Sequence, residues 1–158
     1  MFQRPLRTLS VSGPLAALAV IGLLMPSVSA AQDRTAQQIK LRQSVYTVLG
    51  AQVTMMGAMA SGRAPFDAAS FKTAAQRAAF MASIAPDVFP AGSTGPTSKA
   101  KAELWQNSAD FKALMTDFGD QTAALAKAAE GGTLESVRPA FVAATRTCKA
   151  CHDKYKLD

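Results

Sequence analysis

The chain has 158 residues, 49% of them hydrophobic, with two tyrosines, one tryptophan, two cysteines and one histidine. That length holds one domain beyond a targeting segment. The alanine-rich composition favours helices over strands, and two cysteines exclude a disulfide framework. The formal charge of +6 becomes +4 over residues 31–158, with 15 basic residues against 11 acidic. These charges form no basic run interleaved with aromatics, which argues against nucleic-acid binding and leaves only mild steering of acidic redox partners.

Residues 1–30 read as a secretory signal peptide, and residues 31–158 as the domain. Arg4 and Arg7 supply the positive start, Leu15 to Met25 a short apolar run, and Val28-Ser29-Ala30 the small residues before a cut after Ala30. The apolar run is short for a hydrocarbon core of about 30 Å, so no membrane segment is expected after cleavage. Arg4 and Arg7 are not a twin-arginine pair, and general secretion to the periplasm follows.

Four helices are expected in the remainder. The first runs from about Arg34 to Ala60, and steps of three and four pick out Ile39, Arg42, Tyr46, Leu49, Val53, Met56 and Ala60. Arg42 breaks that apolar stripe. A buried cation is costly, so it needs an anionic partner or a position from which it reaches water. Gly62-Arg63-Ala64-Pro65 ends the helix. Asp67 caps a second, with Phe71, Ala74, Ala78, Met81 and Ala85 on one face and Pro86 as its stop. The long loop, Pro86 to Thr97, is rich in proline and glycine and contains Phe89, expected against the core or a cofactor edge.

A third helix is predicted from near Ser98 to Glu130, with Leu104, Ser108, Phe111, Met115, Phe118, Thr122 and Leu125 facing inward and Trp105 beside them. Gly131-Gly132 closes it. Thr133 caps the fourth, whose stripe is Leu134, Val137, Phe141, Ala144, Cys148, Cys151 and Tyr155. Pro139 sits within its first two turns, where proline is better tolerated. The fold class is therefore all-α: an up-and-down, left-handed four-helix bundle enclosing whatever the fourth stripe carries.

That stripe carries Cys148-Lys149-Ala150-Cys151-His152, the Cys-x-x-Cys-His pattern of covalent c-type haem attachment. Helical positions i, i+3 and i+4 share a face, so two thiols reach the two vinyl groups of one porphyrin while the imidazole reaches its iron from the same side. A zinc site normally takes four ligands, and the chain has no second Cys/His cluster; a redox Cys-x-x-Cys normally sits in a βαβ context. One haem c is expected, between the first and fourth helices, with His152 as axial ligand because it is the only imidazole. A haem propionate is the natural partner for Arg42. Lys156, one turn beyond His152, either lies near that face of the haem or points outward.

On these features together the chain resembles the cytochromes c′, the high-spin class II c-type cytochromes. The resemblance rests on the motif's place near the C-terminal end and on Lys40-Leu41-Arg42-Gln43-Ser44-Val45-Tyr46, followed by Met56-Gly57-Ala58-Met59. It rests further on Gly62-Arg63-Ala64-Pro65-Phe66-Asp67, on Leu104-Trp105 and on Cys148 to Asp153. It implies Cys148 and Cys151 as covalent haem anchors and His152 as the one protein ligand to iron. It also implies Arg42 and Gln43 as haem contacts, Arg42 through a propionate, and Tyr46 over a vacant distal face. A homodimer through the first two helices is implied as well, for which Ala51, Met55, Ala58 and Met59 offer a small and apolar face.

Low-spin relatives place a methionine where Tyr46 stands. Of the five methionines after residue 30 (Met55, Met56, Met59, Met81 and Met115), Met56 and Met115 lie on core stripes, where methionine is more often filler than ligand. The expected function is periplasmic binding of NO and CO, electron transfer, or both, without enzymatic turnover, since no second histidine exists to serve as a distal acid or base. The alternative is a six-coordinate low-spin electron carrier.

Overall fold

The computed structural model describes residues 28–157. The expected leader lies outside the described residues up to position 27. Five helices follow: α1 Val28–Ala60, α2 Ala68–Ile84, α3 Glu103–Gln106, α4 Ser108–Ala128 and α5 Leu134–Tyr155, with short 3-10 turns at Ala85–Val88 and Ala129–Gly131. No strand occurs among the described residues, only an isolated antiparallel bridge between Ala100 and Lys156. Four of the helices form the expected bundle, and α3 is a single turn leading into α4.

The helix ends follow from local chemistry. Asp67 accepts a hydrogen bond from the Ser70 amide at 2.7 Å and Thr133 from the Ser136 amide at 3.2 Å, each satisfying an orphan N–H of a first helical turn. Gly132 turns the chain at φ 69°, a left-handed conformation that glycine adopts without steric cost.

The core is built from Leu49, Met56 and Met59 of α1, Phe71 with four alanines of α2, Phe111, Met115, Phe118 and Leu125 of α4, and Val137 and Ala144 of α5. The alanine face of α2 lets it approach α1 and α4 closely. On the remaining side α1 and α5 meet only where α1 ends and α5 begins. Phe141 packs beside Gly57 there, and Arg138 Nε donates to the Ala60 carbonyl at 3.1 Å. From that junction the two helices diverge, which leaves a cleft between the first half of α1 and the last turns of α5.

Several expectations need correction. The third helix does not run unbroken from Ser98. Residues 99–101 instead lie beside residues 155–157, with Lys101 N donating to Tyr155 O at 2.9 Å and Leu157 N to Lys99 O at 2.8 Å. Ser98 is buried and its hydroxyl is bonded elsewhere. Asn107, at φ −104° and ψ 44°, separates α3 from α4. Ser108, expected inside, is exposed. On α2 the buried residue is Ala82, with Met81 half-buried. Met59, expected on an outer face, is 7% exposed and belongs to the core.

Candidate functional site

The α1–α5 cleft holds a cavity of about 480 Å³, within the range of small-molecule and cofactor sites. The α5 wall supplies Thr147, Cys148, Cys151, His152 and Tyr155, and the α1 wall supplies Ile39, Arg42, Gln43, Tyr46, Leu49 and Val53. Phe111, Met115 and Phe118 of α4 form the floor, and Phe89, Ser98 and Lys99 of the long loop form a rim. Every residue expected at the site thus lies on this one cavity, although α1 and α5 are about a hundred positions apart in the chain.

Helical spacing puts Cys148, Cys151 and His152 on the cavity side of α5. Both cysteines are free and half-buried. Burial pushes both thiols above their ordinary range, so they stay protonated in the haem-free chain. His152 is shifted the other way, first by burial and then by Lys156, with Asp153 opposing. Both causes favour the neutral ring, the form that offers a lone pair to a metal. Lys156 lines the cavity close enough for its charge to act on His152, and it is exposed to solvent as well.

Arg42 is only 5% exposed, so it does not reach water. Its Nη1 donates to Val88 O at 3.2 Å and Ser93 Oγ at 2.9 Å, and its Nη2 donates to Ser93 O at 2.8 Å and Ser98 Oγ at 3.0 Å. These acceptors are neutral, where an anion was expected. Its Cζ lies 4.9 Å from the Phe89 ring centroid and 6.0 Å from that of Trp105. Loop dipoles and aromatic faces thus compensate the buried charge. Gln43 sits one residue on, exposed, and its Nε2 donates to Thr97 O at 2.8 Å.

Tyr46 faces the motif across the cavity. Burial is the main cause raising its phenol above the ordinary range; Cys151 and Cys148 add to it and Arg42 opposes. The phenol is therefore neutral and a poor anionic ligand. The rest of the α1 wall presents neither imidazole nor thioether.

Sequence reasoning found these residues but missed their supports. Tyr155 is buried against Phe111, ring centroids 5.9 Å apart, and its hydroxyl donates to Asp110 Oδ2 at 2.6 Å. Lys154 donates to the same carboxylate at 2.9 Å. That cluster fixes the last turn of α5, which bears His152, to the start of α4. Ser93 and Ser98 were likewise missed. Their partner lies about fifty residues away, and no local pattern announces such a pair.

The site fits a haem. Among the described residues, no three His, Cys, Asp or Glu side chains converge on a point that would hold a bare metal ion. Two thiols and an imidazole spread along one wall of a mostly apolar slot suit a metal that arrives with its own equatorial ligands.

A sequence model of the family described as Cytochrome C′ matches residues 37–156. The cytochrome c′ of Alcaligenes xylosoxydans xylosoxydans is 33% identical over 118 residues, covering 75% of this chain and 91% of that protein. Among solved structures, cytochrome c prime from Shewanella frigidimarina aligns with a TM-score of 0.76 at 40% identity, covering 78% of this chain and 97% of that one. Two structures of the Alcaligenes xylosoxidans protein, a ferrous variant with bound NO and a variant with bound carbon monoxide, each align with a TM-score of 0.73. They are 32% and 31% identical, cover 78% of this chain, and are themselves covered to 96% and 97%.

Proposed function

Because the chain belongs to the cytochrome c′ family, and so carries one covalently attached haem c, we propose that it binds NO and CO at a vacant axial position of a high-spin haem. We further propose that it passes electrons through the same centre, without catalytic turnover. Cys148 and Cys151 anchor the haem and His152 ligates its iron. When bound, the haem supplies an iron with one position held by His152 and one free for a neutral diatomic gas. The observation that carries this reading is the composition of the α1 wall, Tyr46 amid Ile39, Leu49 and Val53, which holds no imidazole or thioether; the cavity's thioether, Met115, lies on the α4 floor.

The chain's own residues then divide the work. Tyr46 fills the distal side with a neutral aromatic ring, which admits small uncharged molecules and penalises anions, whose burial is costly. Arg42 and Gln43 hold the cavity rim, and Arg42 also places a positive charge where carboxylates of the cofactor would be stabilised. The Tyr155–Asp110 bond three residues beyond His152 holds the turn of α5 that bears it.

The leader expected at residues 1–30 supports a periplasmic location, and no helix among the described residues is long and apolar enough to cross a membrane. For assembly, α1 exposes Leu41, Val48 and Met55, which are 50%, 43% and 36% accessible. Spaced by seven, they form a stripe suited to a second copy of the chain, which supports a homodimer through α1 and α2.

The test is optical and EPR spectroscopy of the purified protein in both redox states. A five-coordinate high-spin spectrum that changes with NO and CO is expected. A six-coordinate His/Met low-spin spectrum in both states would replace this reading with the pure electron-carrier alternative.

A further inference from the structure

Phe89 is the hub of the loop that rims the cavity. Its ring meets the Tyr46 ring edge-on, centroids 5.9 Å apart at 75°, and the Phe111 ring at 5.0 Å and 65°. The Arg42 guanidinium covers its face at 4.9 Å. Its backbone is held as well: Trp105 Nε1 donates to Phe89 O at 3.3 Å and to Pro90 O at 3.0 Å, while Arg42 bonds the preceding carbonyl, Val88 O.

The four terminal N–H groups of Arg42 are matched by four loop acceptors, so the guanidinium works first as a clamp on residues 88–98. Phe89 is thus a ring between Tyr46 on one side and a buried phenylalanine with a pinned cation on the others. It also borders the cavity, so its contacts with Phe111 and Arg42, not enclosure, are what hold it in place.

Resting on the reading of Tyr46 as the distal residue, we propose that Phe89 is a positioning residue that acts as a backstop to the Tyr46 ring and thereby sets how fast a gas gains the distal face. A ligand arriving at that face must displace Tyr46. On the loop side Tyr46 moves only if Phe89 moves, and Phe89 moves only by breaking its contacts with Phe111 and Arg42. Because these are contacts between rings and a cation, the barrier depends on the aromatic identity of residue 89. A leucine of lower bulk yields where phenylalanine does not.

Carbon monoxide association with the ferrous holoprotein, followed by stopped flow, tests this with Tyr46→Leu, Phe89→Leu, Phe89→Tyr and the Tyr46→Leu/Phe89→Leu double variant. Tyr46→Leu is expected to accelerate binding, which checks the underlying reading by itself; an unchanged rate there overturns that reading. Phe89→Leu is expected to accelerate binding roughly tenfold when Tyr46 is present, as loss of edge contacts of this type implies, and not at all when residue 46 is leucine. Phe89→Tyr, which keeps the ring, should retain the parent rate.

If Tyr46→Leu is fast but Phe89→Leu is unchanged, or gives the same factor in both backgrounds, the backstop is overturned. Urea unfolding of the wild type, the two single leucine variants and the double variant supplies a second readout. A double-mutant cycle should show coupling between positions 46 and 89, and additive effects would count against the proposal.

Discussion

Tyr155 lines the cavity with its ring, and its hydroxyl serves the site by bonding Asp110 of α4. Its O–H donates to Asp110, which holds that carboxyl below the usual carboxylate range, with the Lys154 bond as a second cause. The same bond pushes the Tyr155 phenol up to about 12. The signs define a window. A carboxylate whose pKa is depressed on folding stabilises above its ordinary value and loses that contribution as pH falls through its folded pKa. A phenol whose pKa is raised contributes below its ordinary value and loses that contribution as pH rises through about 12.

Thermal midpoints of the wild type and Tyr155→Phe should therefore differ by a constant amount between about pH 5 and about pH 9, and converge at both extremes. A pH-independent difference would mean that the ring, not the hydroxyl, carries the effect. The haem motif was legible from the sequence because its three residues sit within one turn and are the chain's full complement of cysteine and histidine. Asp110 and Tyr155 were not legible as a pair because forty-five positions separate them and neither is unusual in its own helix.

At the scale of elements, the loop between α2 and α4 is a wall of the site. Arg42 and Gln43 tie it to α1, and residues 99–101 tie it to the end of α5. Gly95 permits the close approach, since a Cβ there would lie 3.1 Å from Ile39 Cδ1. Replacing Arg42 with glutamine removes a side chain that donates to four loop acceptors on three residues. The expected loss is about 3 kcal/mol in denaturant unfolding, with faster amide exchange appearing first at residues 88–98. Uniformly faster exchange across all helices would indicate that the loop is not a separately anchored element. The helical period predicted the α1 and α5 faces well. It failed between Ser98 and Asn107, where Lys99 and Lys101 pair their backbones with Leu157 and Tyr155, Arg42 takes the Ser98 hydroxyl, and local helix preference is overridden.

For the whole molecule, the divergence of α1 from α5 is the decisive feature, because it leaves a cofactor-sized slot in an otherwise closed bundle. The exposed Leu41, Val48 and Met55 stripe lies on α1, the helix that also carries Tyr46, so the proposed subunit interface and the proposed distal wall share one element. Sedimentation at micromolar concentration should show a dimer for the wild type and a monomer for Val48→Glu, with the optical spectrum unchanged. A wild-type monomer would remove that stripe as the interface.

The sequence alone determined the four amphipathic helices, the capped turns and the attachment motif, because each is a local pattern of spacing within one segment. Only the tertiary structure decided that Arg42 is compensated by a loop and two aromatic faces, that Met59 belongs to the core, and that Phe89 stands behind Tyr46. Those outcomes depend on which distant groups a buried charge or ring meets once the helices have packed, and no period along the chain encodes that.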